Sequence, residues 1–368
     1  MKIWMFMRKN TVLCAAFCAA AITSILVPPD AGWLDYFDLR TLTCLFLTLA
    51  VVCALRNIHF FSILAHRVVR LTGNLRALAL ALIYITFIGS MLIANDMALI
   101  TFLPLGYFSL KATNNQKHMA YVFILQNISA NLGGMLTPFG NPQNLYLYSY
   151  FEIPTGEFVS ILFPPFLLAV LMLTVFCLLL PAEKLELRES FLEKLDGRRA
   201  AFYLVRYALS LAIVSRLLPY WVGLILIPAA LLPVDRHALR QVDYALLGTF
   251  VLFFIFAGNL SRLDAVNRFV SGLLERNTLL VSVLSCQCIS NVPTAILLSR
   301  FTENYPALLL GVNIGGTGTL IASLASLITF REYQSCCPGQ TRHYLFCFAL
   351  LNFIFLAVLT AAAQFLFL

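Results

Sequence analysis

Two short motifs of amide, hydroxyl and glycine residues lie inside long apolar sequence. They are the residues of this chain best suited to chemistry. One reads Asn131-Leu132-Gly133-Gly134-Met135-Leu136-Thr137-Pro138-Phe139-Gly140-Asn141-Pro142-Gln143-Asn144. The other reads Asn313-Ile314-Gly315-Gly316-Thr317-Gly318-Thr319-Leu320-Ile321-Ala322-Ser323-Leu324-Ala325-Ser326. Laid together without a gap, they match Asn131 with Asn313, Gly133-Gly134 with Gly315-Gly316, and Thr137 with Thr319. Gly140 then falls on Ala322, Asn141 on Ser323 and Asn144 on Ser326. Upstream, Ala94-Asn95-Asp96-Met97-Ala98 pairs with Ser290-Asn291-Val292-Pro293-Thr294, each Asn near the middle of an apolar run.

The physical reason for these residue types is backbone supply. A Gly-Gly or Gly-Pro break in a membrane helix frees carbonyl and N–H groups. Bilayers tolerate them only when they are buried in protein or face a watery cavity. Free carbonyls with Asn, Ser and Thr oxygens suit Na⁺. The N-termini of half-helices, with their N–H groups and positive dipole end, suit an anion. Asp96 is the only acid well inside an apolar run. A carboxyl there is costly and marks a functional position, here a candidate proton carrier.

Other groups offer less. Arg206 and Arg216 in one run, and Arg300 at the end of another, would either hold an anion or snorkel to headgroups. Cys286 and Cys288 precede Ser290 and suit a soft ligand or plain apolar packing. His59, His66, His118, His237 and His343 lie in loops or at span edges with no metal-ligand spacing, so no metal beyond a possible Na⁺ is expected.

The elements that must position these groups are membrane helices. Of 368 residues, 61% are hydrophobic and only 11% charged, against about 25% charged in soluble domains. The net charge of +8 does not signal nucleic acid, because the bases are scattered through short polar gaps between apolar runs. Most of the ten cysteines sit inside those runs, as small apolar residues do. The basic start (Lys2, Arg8, Lys9) and the run that follows read as an uncleaved first span rather than a secretory signal.

The runs are 11–28, 40–55, 77–110, 118–151, 158–181, 201–218, 219–233, 242–259, 277–301, 304–330 and 343–367. The runs 77–110 and 277–301 read as re-entrant hairpins, and 118–151 and 304–330 as discontinuous helices. With the N-terminus inside, most of the 25 Lys and Arg residues fall on the inner side. This reading gives an all-α polytopic membrane protein of about nine spans plus two hairpins, with the C-terminus outside. Residues 1–181 form a first repeat, 182–218 a charged linker loop and a span, and 219–368 a second, inverted repeat. Segment 56–76 reads as an interfacial amphipathic helix, with 260–276 as its counterpart. Matching interrupted segments in two halves point to a binding site near the bilayer midplane.

At these motifs the chain resembles the ion transporter superfamily, which includes the divalent-anion:sodium symporters, citrate permeases and arsenite/antimonite permeases. The likeness covers most of the chain in layout and is specific at the four motifs. It implies that hairpin tip and helix break together bind coupling ion and substrate. The first site would use Asn95 with the backbone near Gly133, Thr137 and Gly140. The second would use Ser290, Asn291 and Thr294 with Gly316, Thr319 and Ala322. The tips read Asn95-Asp96 and Asn291-Val292-Pro293 where the sodium symporters have Asn-Thr, which looks more like the arsenite-permease branch.

The expectation is therefore a secondary transporter of a small inorganic or carboxylate anion in the cytoplasmic membrane, coupled to H⁺ or Na⁺, without other cofactor. Ion or substrate contacts are expected from Asn95, Asp96, Asn131, Gly133, Gly134, Thr137, Gly140, Asn141, Asn144, Ser290, Asn291, Thr294, Asn313, Gly316, Thr319 and Ser323. A homodimer is compatible with the apolar surface. A monovalent cation:proton antiporter is the nearest alternative, followed by a membrane enzyme or a channel. No nucleophile–base pair and no phosphate-binding loop supports catalysis or ATP use.

Overall fold

The computed structural model describes residues 10–185 and 195–367. The basic start Lys2, Arg8 and Lys9, and the linker bases Arg188 and Lys194, lie outside the described residues. Among the described residues the regular structure is helical, apart from one isolated bridge between Asn74 and Lys184.

The first half comprises α1 (Thr11–Leu26), α2 (Leu39–Asn57), α3 (Phe60–Val69), α4 (Leu75–Ile93), α5 (Asn95–Ala112), α6 (Met119–Gly133), α7 (Pro142–Tyr150) and α8 (Thr155–Leu178). The second comprises α9 (Gly197–Val214), α10 (Tyr220–Arg240), α11 (Tyr244–Ser261), α12 (Asp264–Ile289), α13 (Asn291–Leu298), α14 (Tyr305–Ile314), α15 (Leu324–Cys336) and α16 (Thr341–Ala362). Side-chain caps start several of them. Asp38, Asn74, Asp243, Asn304 and Ser323 each accept a backbone N–H of the first turn. Pro142 opens α7 at the one helical position where its missing N–H costs nothing.

Among the described residues, seven helices are long and apolar enough to cross a membrane: α2, α4, α8, α10, α11, α12 and α16 with its short extension to Phe367. The expected nine spans do not map one to one onto these. The hairpin arms α4 and α12 qualify individually, whereas each discontinuous helix is split into two short pieces. The breaks fall where the Gly motifs put them, between α6 and α7 and between α14 and α15.

Two of these long helices each join two helices across a kink. Segment 260–276 coincides with the first part of α12; that part ends at Asn277 (φ −164°, ψ 91°), where a second helix starts and runs to Ile289. No turn-forming Gly or Pro separates the parts, and Asn277 Oδ1 recaps the chain by accepting the Leu280 N–H at 2.8 Å. The run 219–233 continues to Arg240 through a second bend at Asp235, which caps Ala238 in the same way.

The broken helices form the centre of the protein. Nearly every residue of α6, α7 and α14 is buried. The long helices around them expose apolar side chains such as Leu171, Val175, Trp221, Ile225 and Phe346, the distribution expected of a protein solvated by lipid. α1 packs along α11, α4 and α5 against α6, and α12 against α13 and α14. The charged linker is tied to the first half, through Lys117–Glu183 at 3.2 Å and the Leu75 N–H donated to the Glu183 carbonyl.

Candidate functional site

The two hairpins turn on a single residue each, in the same unusual conformation. Ala94 has φ 67° and ψ 150°, and Ser290 has φ 75° and ψ 157°. Such backbone costs a non-glycine residue about 1–3 kcal/mol and persists only when its surroundings fix it. The fixing contacts are matched. Asn95 N–H donates to the Gly140 carbonyl at 3.0 Å, and Asn291 N–H to the Ala322 carbonyl at 3.0 Å. In both tips the Asn Oδ1 accepts the next backbone N–H, of Asp96 or Val292, at 2.9 Å.

The breaks repeat one another in the same detail. Gly140 N–H closes a turn on the Thr137 carbonyl (3.2 Å), and Ala322 N–H on that of Thr319 (3.1 Å). Thr137 Oγ1 donates to the Met91 carbonyl at 2.8 Å, and Thr319 Oγ1 to the Gln287 carbonyl at 3.1 Å. Each tip is thereby tied to its own break in both halves.

The halves are also tied to each other. Asn131 Nδ2 donates to Ser323 Oγ at 3.1 Å, and Asn141 Nδ2 to Asn313 Oδ1 at 3.4 Å. Because Asn131 matches Asn313 and Asn141 matches Ser323, these bonds are one contact seen from either half. Asn313 Nδ2 also reaches Asn144 Oδ1 at 2.6 Å, and Asn127 Nδ2 reaches Ser326 Oγ at 3.3 Å. Gly133 lets α6 meet α4, since a Cβ there would collide with the Phe87 carbonyl and Ser90 Oγ. A Cβ at Gly316 would lie 3.1 Å from Asn291 Nδ2.

Both tips border one cavity of about 540 Å³. Asn95, Asp96, Ser290 and Asn291 line it, together with Pro142, Gln143 and Leu324 at the starts of α7 and α15. Thr11, Ala15 and Ala19 of α1 and Thr249 and Phe253 of α11 form the facing wall. Among the described residues, no Lys, Arg or His lines it. Of the residues singled out from the sequence, Asn131, Gly133, Gly134, Thr137, Gly140, Asn141, Asn144, Thr294, Asn313, Gly316, Thr319 and Ser323 lie behind this lining. Asp96 Oδ1, Asn141 Oδ1 and Gln143 Oε1 are buried acceptors without a hydrogen-bond partner.

The three arginines are spent elsewhere. Arg206 stacks on Phe202. Arg216 donates to the Tyr148 and Glu152 carbonyls, and Arg300 to the Tyr36 carbonyl at 2.6 Å. The described residues contain no cluster of metal-ligating side chains. Sequence reasoning missed Gln287, whose Nε2 donates to the Gly315 and Thr317 carbonyls (2.9 and 3.1 Å) while Oε1 accepts the Thr319 N–H at 2.8 Å. The signal was available, since it is a lone amide in an apolar arm just before the tip. Thr11 and Thr249 carry no such signal.

Apolar helices of membrane-crossing length around a polar-tipped cavity fit a multi-pass membrane transporter, and the comparisons with known proteins establish that class. The chain is 32% identical over 293 residues to an uncharacterized transporter of Methanocaldococcus jannaschii, which covers 79% of this chain and 80% of that protein. It is 28% identical over 279 residues to inner membrane protein YbiR of Escherichia coli, covering 74% of each. More particularly, the chain belongs to the citrate transporter family, which its residues 1–306 match. The expected kinship with the ion transporter superfamily thus narrows to that family; these matches do not single out the arsenite-permease branch.

Proposed function

We propose that this chain is a secondary active transporter. In this reading it carries a small anion, an oxyanion or a carboxylate, across the cytoplasmic membrane by alternating access. One observation carries the reading: the first turns of α5, α7, α13 and α15 all border one cavity that no basic side chain among the described residues lines. Each helix start presents the positive end of its dipole, roughly half a positive charge, while the N–H groups of Asn95, Asp96, Asn291 and Val292 are already bonded within the protein. An anion there is held by backbone rather than by Lys or Arg. The family's description favours a carboxylate cargo.

The coupling cation is assigned to Asp96, which lines the cavity and has an unpartnered Oδ1. A proton on that carboxyl removes the one negative charge facing an incoming anion. Na⁺ is the alternative, supported by the orphan oxygens of Asn141 and Gln143. Asn95, Ser290 and Asn291 are read as cargo contacts, and the buried Asn, Gly, Thr and Ser residues behind them as the frame. The halves are read as an inverted pair, with the N-terminus inside and the C-terminus outside, working as a transporter and not as an enzyme. A homodimer is compatible with the apolar perimeter.

A monovalent cation:proton antiporter is the second reading, favoured by an acid in a cavity that no base among the described residues lines. Purified protein in liposomes separates the two, with citrate as the first cargo tested. Saturable citrate uptake driven by an imposed pH gradient, with the drive lost in Asp96→Asn, is the expected result. Proton flux driven by Na⁺ or K⁺ with no anion present would favour the antiporter instead. Flux that never saturates would indicate a channel.

A further inference from the structure

Asp96 borders two cavities, and only one of them is the cargo cavity. The second, of about 70 Å³, is lined by Ala94, Asp96, Met97 and Ile100 on one side and by Thr48, Leu49, Asp243 and Leu246 on the other. It exceeds the ~10–15 Å³ that one water needs, and two carboxyls and a hydroxyl supply polar partners. Asp243 is half-exposed, at the start of α11. Its Oδ1 accepts the Leu246 N–H at 2.9 Å. That cap alone does not require an acid, since Asn or Ser caps as well.

We propose that Asp243 is a proton relay serving Asp96 through this small cavity, separate from the path of the cargo. The inference rests on the reading of Asp96 as the coupling carboxyl. A proton taken up by Asp243 from solution passes through water in the cavity to Asp96. Asp243, left ionised, then reloads from solution. Release from Asp96 runs the same steps backwards. The arrangement lets Asp96 exchange its proton while cargo fills the larger cavity.

The charged and titratable groups facing this corner come from several helices. Arg56 of α2 reaches Met97 Sδ at 3.5 Å. Cys53 of α2 donates to the Gln241 carbonyl and feels Arg56, Asp235 and Asp243. Asp235 of α10 is held by Asn57 Nδ2 at 3.0 Å. Tyr207 of α9 donates to the Leu92 carbonyl, and Cys288 of α12 borders the cargo cavity. Of these, Asp243 is the acid that shares the small cavity with Asp96.

The test needs no known cargo. The full chain in lipid nanodiscs is dropped in pH, and carboxyl protonation is followed by time-resolved infrared difference spectroscopy. A carboxyl band missing in Asp96→Asn belongs to Asp96. In Asp243→Asn, which keeps the helix cap, that band should reach its full amplitude at least about tenfold more slowly. Asp243→Glu should restore the rate, and unchanged melting of both variants excludes a folding effect. Wild-type kinetics in Asp243→Asn would overturn the relay alone. A difference spectrum identical in wild type and Asp96→Asn would instead overturn the reading of Asp96 on which the relay rests.

Discussion

Gly140→Ala puts one methyl group at the joint between the first tip and the first break. A Cβ on residue 140 would lie 2.7 Å from Thr137 Oγ1 and 2.8 Å from Gly134 Cα, and closer still to the Gly134 carbonyl oxygen. Ordinary contact begins at 3.4 Å, so the backbone must yield by more than half an ångström. Two of these neighbours are main-chain atoms of Gly134 and cannot swing away, and Thr137 Oγ1 is held by its bond to the Met91 carbonyl. Overpacking of this kind costs about 1–3 kcal/mol. The same shift pulls the Gly140 carbonyl from the Asn95 N–H, a buried bond worth about 0.5–1.5 kcal/mol. A total loss of about 2–4 kcal/mol is expected. Equilibrium unfolding in mixed mild and denaturing micelles measures it, and amide exchange at Asn95 reports the tip. The control is Gly156→Ala in α8, where nothing lies within 4 Å of the new methyl; there the change should stabilise by about 0.5–1 kcal/mol. If the two variants behaved alike, or Gly140→Ala lost less than about 0.5 kcal/mol, the steric argument would be refuted.

Two further outcomes follow from the site. Asn313→Ala strands Asn144 Oδ1 and removes one of the two acceptors of Asn141 Nδ2, so unfolding should show a loss of about 1–3 kcal/mol; a neutral result would mean that the halves are not held through these amides. Cys288 is exposed and borders the larger cavity, whereas Cys286 is buried. In single-cysteine variants a polar maleimide should label Cys288 and spare Cys286. Equal labelling of both would contradict the packing of α12.

What the sequence made legible was the local logic of each half. Gly133-Gly134, Thr137 and Asn141 recur as Gly315-Gly316, Thr319 and Ser323 because a broken membrane helix needs tight approach and a turn; Ser323 caps the helix that follows it, whereas Asn141 turns its amide to the Asn131 carbonyl and Asn313. The tip at Asn95 was visible because polar residues inside apolar runs are costly. Partnership across the chain was not legible. Nothing in Asn131 says that its side chain meets Ser323 while its carbonyl takes the Asn141 amide, because that depends on how two distant segments dock. The close junction of two helices at Asn277 was hidden because an Asn can end one helix or cap the next. The two breaks also differ where the alignment is silent. The first passes through a short 3₁₀ turn at Gly134–Leu136, and the second through Gly318 at φ 116°. The match of Gly140 to Ala322 therefore does not make a methyl group tolerable in both.

The reciprocal amide bonds also bear on biosynthesis. The ribosome delivers Asn127, Asn131 and Asn141 long before Asn313, Ser323 and Ser326 have been made. During that interval the first break sits in or beside the bilayer without the partners that later satisfy it, where unpaired polar groups are costly. The second half therefore completes the polar centre of the first. A truncated chain ending at the charged linker would leave that centre open to lipid and to the cell's quality control.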